Sequence, residues 1–286
     1  MKAYFKPLML TLAMVVLPFC LSARAFPGSP QSKDFKKTVE LESGGSLTLS
    51  TDKGSVKLSS WNQNQVEVVA RIDPPEEASQ DYARRAVEGV VIEVIGGGRS
   101  VTVRSNFDGV PYRDDFGSRS RSLPNIHYEI RAPRNLKLNV DIDRSRMELN
   151  GFEGSVTLNT DRTPVTASDL TGDIRVQMDR GQLTLAKIRG SINVDTDRTD
   201  IDLQGVRFDG DSRFDMDRGE LDIKLSENQG LTVETDISRR GDFSTDLQVN
   251  IRTMRGKNFD GTINGGGPRL VFRTDRGRIR LRREGN

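Results

Sequence analysis

VQMDRGQLTL, residues 176–185, decides how this chain folds. Apolar side chains fall two apart before the Asp-Arg dipeptide, at Val176 and Met178, and two apart after it, at Leu183 and Leu185. Period two on both sides of Asp179-Arg180 predicts two short strands with a tight turn between them. The text recurs as VDIDRSRMEL at 140–149, LNTDRTPVTA at 158–167, VDTDRTDIDL at 194–203 and FDMDRGELDI at 214–223. The dipeptides Asp143-Arg144, Asp161-Arg162, Asp179-Arg180, Asp197-Arg198 and Asp217-Arg218 are spaced 18, 18, 18 and 20 residues apart. Gly154, Gly172 and Gly190 form a second repeating marker, each two residues after Phe152, Leu170 or Ile188.

Weaker copies flank this block. LTLSTDKGSVKL carries Asp52-Lys53, VETDIS carries Asp236, and VFRTDRGRIRL carries Asp275-Arg276, 39 residues after Asp236. That interval equals two more periods, with Gly265-Gly266-Gly267 as a loop in a degraded copy between them. A single period cannot bury its apolar face alone, whereas stacked periods bury a continuous column. The expected fold is therefore all-β: a single-chain β-solenoid, β-helix-like, of 18–20-residue coils. An antiparallel meander or sandwich also recurs every 8–12 residues and is the competing architecture. Like residues at like phases favour stacking.

Ahead of the repeats the text differs. Ser43-Gly44-Gly45 reads as a turn, and QVEVVARI at 65–72 alternates as a strand. Asp73 as N-cap, Pro74 in the first helical position and Glu76 in the first turn predict one short capping helix near residues 75–88. Ala78, Tyr82, Ala83, Ala86 and Val87 make its apolar stripe, and Gly89 ends it. Residues 107–124 are polar and rich in Gly and Arg, and read as a mobile loop. At the other end, residues 268–286 hold seven Arg against Asp275 and Glu284. Such a last strand would repel edge-to-edge growth.

Composition narrows the class. The chain has 286 residues, 43 Lys and Arg, 41 Asp and Glu, one His and one Cys. Lys2 and Lys6, an apolar stretch from Pro7 to Ser22, and Ala23-Arg24-Ala25 before Phe26 make residues 1–25 an expected secretory signal peptide. They carry three of the 43 bases and no acid, so the rest holds 40 bases against 41 acids. The formal charge of +2 thus says nothing about nucleic acid. Cys20 falls inside the signal, and bulky Phe19 before it is a poor match to a lipidation site. Without it the chain has no thiol chemistry and no disulfide. No other apolar run is long enough to span a bilayer. The expected organisation is 1–25 signal peptide, 26–135 N-terminal β-rich region, 136–283 repeats and 284–286 tail.

LESGGSLTLSTDKGSVKLSSWNQNQVEVVARI at 41–72, the short helix after it, IHYEIRAP at 126–133 and the G-[SD]-[VI]-x-[VL] repeats together resemble a known group. This is the bacterial exported β-strand-repeat family labelled "putative adhesin", a domain of unknown function. The resemblance implies a β-solenoid and an envelope location. The group more often carries Ser-Gly or Asn-Gly where this chain has Asp-Arg.

The Asp-Arg series reads first as a structural charge ladder. Asp can close an Asx-type turn, and an adjacent Arg column offsets the repulsion of stacked carboxylates. Asp141 with Asp143, Asp195 with Asp197, and Asp215 with Asp217 could offer paired oxygens to Ca²⁺. However, Arg follows each second Asp, and Asn159 and Gln177 stand at the equivalent outward positions. No metal and no cofactor are expected. His127 is the only His, so a Ser-His-Asp triad or a His-based metal site lacks parts. Trp61 reads as a packed or rim aromatic. The expected function is an exported, non-enzymatic, adhesin-like binding or structural module of the bacterial envelope, periplasmic or at the cell surface. Its partner would be an unidentified envelope component, glycan or protein. A polysaccharide-active β-helix enzyme and an envelope-stress accessory protein are the alternatives.

Overall fold

The computed structural model describes residues 31–76, 78–111, 122–225 and 228–284. The expected signal peptide with Cys20 lies outside these residues, as does most of the expected 107–124 loop. The opening strands are β1 (Lys33–Thr51), β2 (Gly54–Trp61) and β3 (Gln65–Asp73), followed by α1 (Gln80–Glu88). Next come β4 (Val91–Asn106), β5 (Asn125–Pro133), β6 (Lys137–Asp143), β7 (Ser145–Asn150), β8 (Val156–Asp161) and the long β9 (Val165–Phe208). The chain continues through β10 (Ser212–Arg218), β11 (Glu220–Leu225), β12 (Leu231–Ile237), β13 (Asp242–Thr245) and β14 (Val249–Arg255). It finishes with β15 (Asn258–Ile263), β16 (Arg269–Thr274) and β17 (Arg278–Arg283).

The all-β expectation holds, but the solenoid is corrected. All seventeen strands belong to one mixed sheet, neither a barrel nor a solenoid. Two features separate it from a uniform coil. Antiparallel pairs join β1 to β3, β3 to β5, β12 to β15 and β14 to β15. In addition, the order of tiers departs from the order of the chain at both ends. The β1 segment 46–51 lies between β4 and β6, and β2 lies between β5 and β7. Likewise β16 lies between β10 and β12, and β17 between β11 and β13. The Arg-rich C-terminal segment is therefore an inserted tier, where sequence suggested an outer edge.

Within the block the repeats pair parallel and in register, so like residues do form files. Thr51 pairs with Ile142, Ile142 with Thr160, and Thr160 with Met178. Thr196 pairs with Met216, Met216 with Thr274, and Thr274 with Ile237. All eight side chains are buried. Strand alternation sends Leu, Ile, Val and Phe inward from every tier into one core, each contributing about 1.5–3 kcal/mol. Ring-to-ring contacts among the described residues fall in the C-terminal tiers. Phe214 stacks on Phe272 at 5.5 Å, and Phe243 bridges Phe272 and Phe259 at 5.6 and 5.3 Å.

The repeating glycines have a steric cause. Gly172 and Gly190 sit at φ 130 and 144. A Cβ on Gly172 would come within 2.1 Å of the Gly154 carbonyl oxygen, and one on Gly190 within 1.9 Å of that of Gly172. Backbone stacks on backbone at this bend, so only Gly fits.

The helix begins later than expected. Ser79 is its N-cap, accepting from the Tyr82 N–H at 3.3 Å. Proline disfavours helical geometry in the residue before it. Pro74 and Pro75 thereby hold Asp73 and Pro74 out of the helix, and Asp73 instead closes β3. The apolar stripe is as read: Tyr82, Ala83, Ala86 and Val87 are buried, and Ala78 packs against the core. The Tyr82 hydroxyl reaches the carbonyls of Pro111 and Ser122 at 3.0 and 3.2 Å.

Candidate functional site

The Asp-Arg turns line up along one margin of the sheet. Asp143 pairs in register with Asp161, and Arg198 with Arg218. The inserted tier joins this line: the N–H of Arg276 donates to the Asp217 carbonyl at 2.8 Å. Each Arg folds back on its own Asp. Nε lies 2.8 Å from the carboxylate in Asp143-Arg144, 2.9 in Asp161-Arg162, 3.4 in Asp179-Arg180, 3.1 in Asp197-Arg198 and 3.2 in Asp217-Arg218. Bridges between tiers also occur, from Arg276 to Asp217 at 3.0 Å and from Arg162 to Asp143 at 3.6 Å. The Arg276 guanidinium holds the Asp217 carboxyl below its usual range.

Among the described residues these carboxylates do not close Asx turns. Hydroxyls take that part, with Ser145 donating to the Asp143 carbonyl at 3.0 Å and Thr163 to that of Asp161 at 2.9 Å. Turn geometry varies along the series. Before Ser145 and Thr163, Arg144 and Arg162 take φ 46 and 49, whereas Arg198 before Thr199 does not take a positive φ. Where Gly follows, Gly181 and Gly219 take the positive φ instead.

Among the described residues, hollows of about 610, 540 and 460 Å³ open on the surface. The second lies beside the turns and is lined by Asp195, Asp197, Asp215, Asp217, Asp236 and Arg273. Among the described residues no group of three or more His, Asp or Glu side chains is placed to hold a metal. Arginines occupy this acid: Arg213 lies 2.6 Å from Asp215 and Arg273 3.7 Å from Asp236.

The third hollow holds a constellation that sequence reading missed. In-register pairing of β2 with β5 sets Ser55 beside His127. The Ser55 Oγ lies 2.8 Å from Nδ1, and Nε2 lies 3.5 Å from the Asp73 carboxylate. Only strand register brings these three together, and nothing in their spacing announces it. The Asp73 carboxylate has other partners besides His127. Oδ1 of Asp73 accepts from Ser32 at 2.6 Å and from Arg71 at 2.7 Å. At the far end of β2, Trp61 is a rim aromatic: its Nε1 donates to the Gln65 carbonyl at 2.8 Å, and the Arg131 guanidinium lies 4.7 Å from its ring. Arg131 and Lys36 flank Glu67, and the hydrogen bond from Arg131 holds the Glu67 carboxyl below its usual range.

Solved structures called putative adhesins resemble this chain. One, from Bacteroides fragilis, matches at 10% identity and TM-score 0.45 over 88% of this chain and 97% of its own. A "putative cell adhesion protein" from Clostridium sporogenes matches at 9% and 0.31 over 88% and 100%. A "putative lipid binding protein" from Parabacteroides distasonis matches at 10% and 0.33 over 89% and 98%. None of the three is called an enzyme. No protein-family model and no curated protein matches the chain. Among the described residues no helix is long and apolar enough to cross a membrane.

Proposed function

We propose that the chain is an exported, non-enzymatic binding or structural module of the bacterial envelope. One observation carries this reading: the carboxylate of each Asp-Arg turn is paired in place beside a buried apolar core. Asp143, Asp161, Asp179, Asp197 and Asp217 each hold their own Arg. Carboxylates so occupied serve poorly as general acids or metal ligands, and they suit a rigid surface that stays soluble while presenting a regular pattern. In this reading the Asp-Arg series is a self-neutralising ladder, and residues 1–25 direct export.

The purified chain is tested against peptidoglycan, envelope glycans and envelope proteins, with turnover of acidic polysaccharides assayed in parallel. Saturable binding without turnover is the expected result. Polysaccharide cleavage, or silence across the whole panel, contradicts the binding module. N-terminal sequencing of the exported product checks export, with Phe26 the expected first residue.

A further inference from the structure

Five neighbouring tiers share a polar outer face. Thr48, Asn139, Thr157 and Arg175 pair in register from β1 through β6 and β8 to β9. Two residues further along each strand, Ser50, Asp141, Asn159 and Gln177 do the same. One period on, Asn193 and Asp195 share a shallow hollow of about 260 Å³ with Arg175 and Gln177. The residues between the two files, Leu49, Val140, Leu158 and Val176 among them, are buried, so strand alternation turns both files to solvent.

Ion pairs close this strip at both ends. Beside Ser50, Arg104 meets Glu93, and beside Asp195, Asp215 holds Arg213 at 2.6 Å. Between those ends, among the described residues, no side chain of the two files makes a hydrogen bond or an ion pair. The strip is thus a lattice of free amides and hydroxyls. Each amide offers both donors and an acceptor, and the paired strands hold the files at about 4.8 Å per tier.

The chemistry of the strip selects its occupant. The exposed large hydrophobics Val91, Ile95, Ile251 and Met254 all lie on other strands, so the strip has no anchor for a membrane or for the apolar centre of a protein interface. Arg175 stands among Asp141 and Asp195, so a polyanion meets no net positive charge. What the strip does offer is neutral hydrogen bonding repeated from tier to tier, which suits a polymer of hydroxyl-bearing units.

We propose that this strip binds an extended neutral polysaccharide that runs along the stack, across the strands, with its hydroxyls on the amides of Asn139, Asn159, Gln177 and Asn193. One amide gains little by exchanging water for a sugar hydroxyl. Once a first sugar is seated, however, the next unit meets the next tier as an intramolecular partner, and small gains accumulate. The inference rests on reading the chain as a binding module and names the ligand class and its place.

The test uses the full chain and immobilised linear oligomers of glucose, mannose and N-acetylglucosamine, from dimer to hexamer, with oligogalacturonate as the charged control. A neutral series should bind, its affinity rising about tenfold or more from dimer to hexamer, and oligogalacturonate should not compete. Asn139→Ala with Asn159→Ala and Gln177→Ala should weaken the hexamer about tenfold or more, whereas Lys57→Ala with Glu148→Ala, on β2 and β7, should leave it bound. These side chains are exposed, and an unchanged circular dichroism melt confirms that each variant folds. No binding of any neutral series, affinity independent of length, preference for oligogalacturonate, or a hexamer untouched by the triple variant overturns the proposal. Should the triple variant keep the ligand found in the envelope panel, the strip is wrong and the binding module stands. Silence of the panel and the oligomers together removes the module itself.

Discussion

At the end bearing β4, Ile92 and Val94 are only 8% exposed, and Tyr82, Ala86 and Val87 of α1 join the same core. Lys33 and Lys37 donate their Nζ groups to the carbonyls of Val90 and Val94 at 3.2 and 2.9 Å. At the end bearing β14, Ile251 and Met254 stand in solvent, and among the described residues no helix and no lysine lies over the strand. A stack of strands needs protection where it stops. This molecule gives one end a helix and backbone-capping lysines, and leaves the other with charge alone. Below both ends lies the same arrangement, an inserted tier that chain order does not foretell: β1–β2 near one, β16–β17 near the other.

Matched truncations in the two inserted tiers probe that likeness most severely. Phe272→Ala removes a buried ring stacked on Phe214 and touching Phe243, and should cost about 3–5 kcal/mol in urea denaturation. Leu49→Ala, equally buried in the other inserted tier, should cost about 2–5 kcal/mol. A loss near zero for either variant would mean that its tier is not packed between neighbours.

Alkaline titration sharpens the difference between the ends. Burial pushes the Tyr128 hydroxyl up to about 12, with Ser105 hydrogen-bonded to it at 2.6 Å. An unfolded tyrosine ionises near pH 10, so this group's contribution is complete below pH 10 and is lost as pH rises through about 12. A shift of this size is on the order of 2–3 kcal/mol. Tyr128→Phe should flatten the alkaline limb of stability, and an unchanged limb would contradict the assignment. No tyrosine follows Tyr128 in the chain, so the effect belongs to the N-terminal half.

Removing the lysines should give a smaller change. Lys33→Ala with Lys37→Ala frees two carbonyls at a cost of about 1 kcal/mol each. Sedimentation should then reveal concentration-dependent association through the β4 end. A double variant that stays monomeric would show that α1 alone closes that end.

Much of this was legible in the sequence, for a definite reason. Period two fixes which face a side chain takes, so Met178, Thr196 and Met216 could be assigned to the interior, and the stripe of Tyr82, Ala83, Ala86 and Val87 to a helix. Phase does not fix tier, however. Asp275 follows Asp236 by two periods, which reads as two further windings. The chain instead returns to set Phe272 beside Phe214, burying aromatic surface that local patterning does not weigh. That return is also why the solenoid reading failed. The helix start was misplaced because Asp73 looks like a cap until both prolines after it are considered. The meeting of Ser55, His127 and Asp73 depends on cross-strand register alone, which no local motif encodes.

Cysteine pairs placed across the inserted tier test the tier order most directly. Asp215 lies in register with Arg273, and Arg273 with Asp236, so Asp215 and Asp236 are two tiers apart. At about 4.8 Å per tier that separation exceeds the reach of a disulfide. In Cys20→Ser protein, Asp215→Cys with Arg273→Cys should cross-link under mild oxidation, and Asp215→Cys with Asp236→Cys should not. Cross-linking of the second pair without the first would contradict the insertion of β16 and restore winding in chain order.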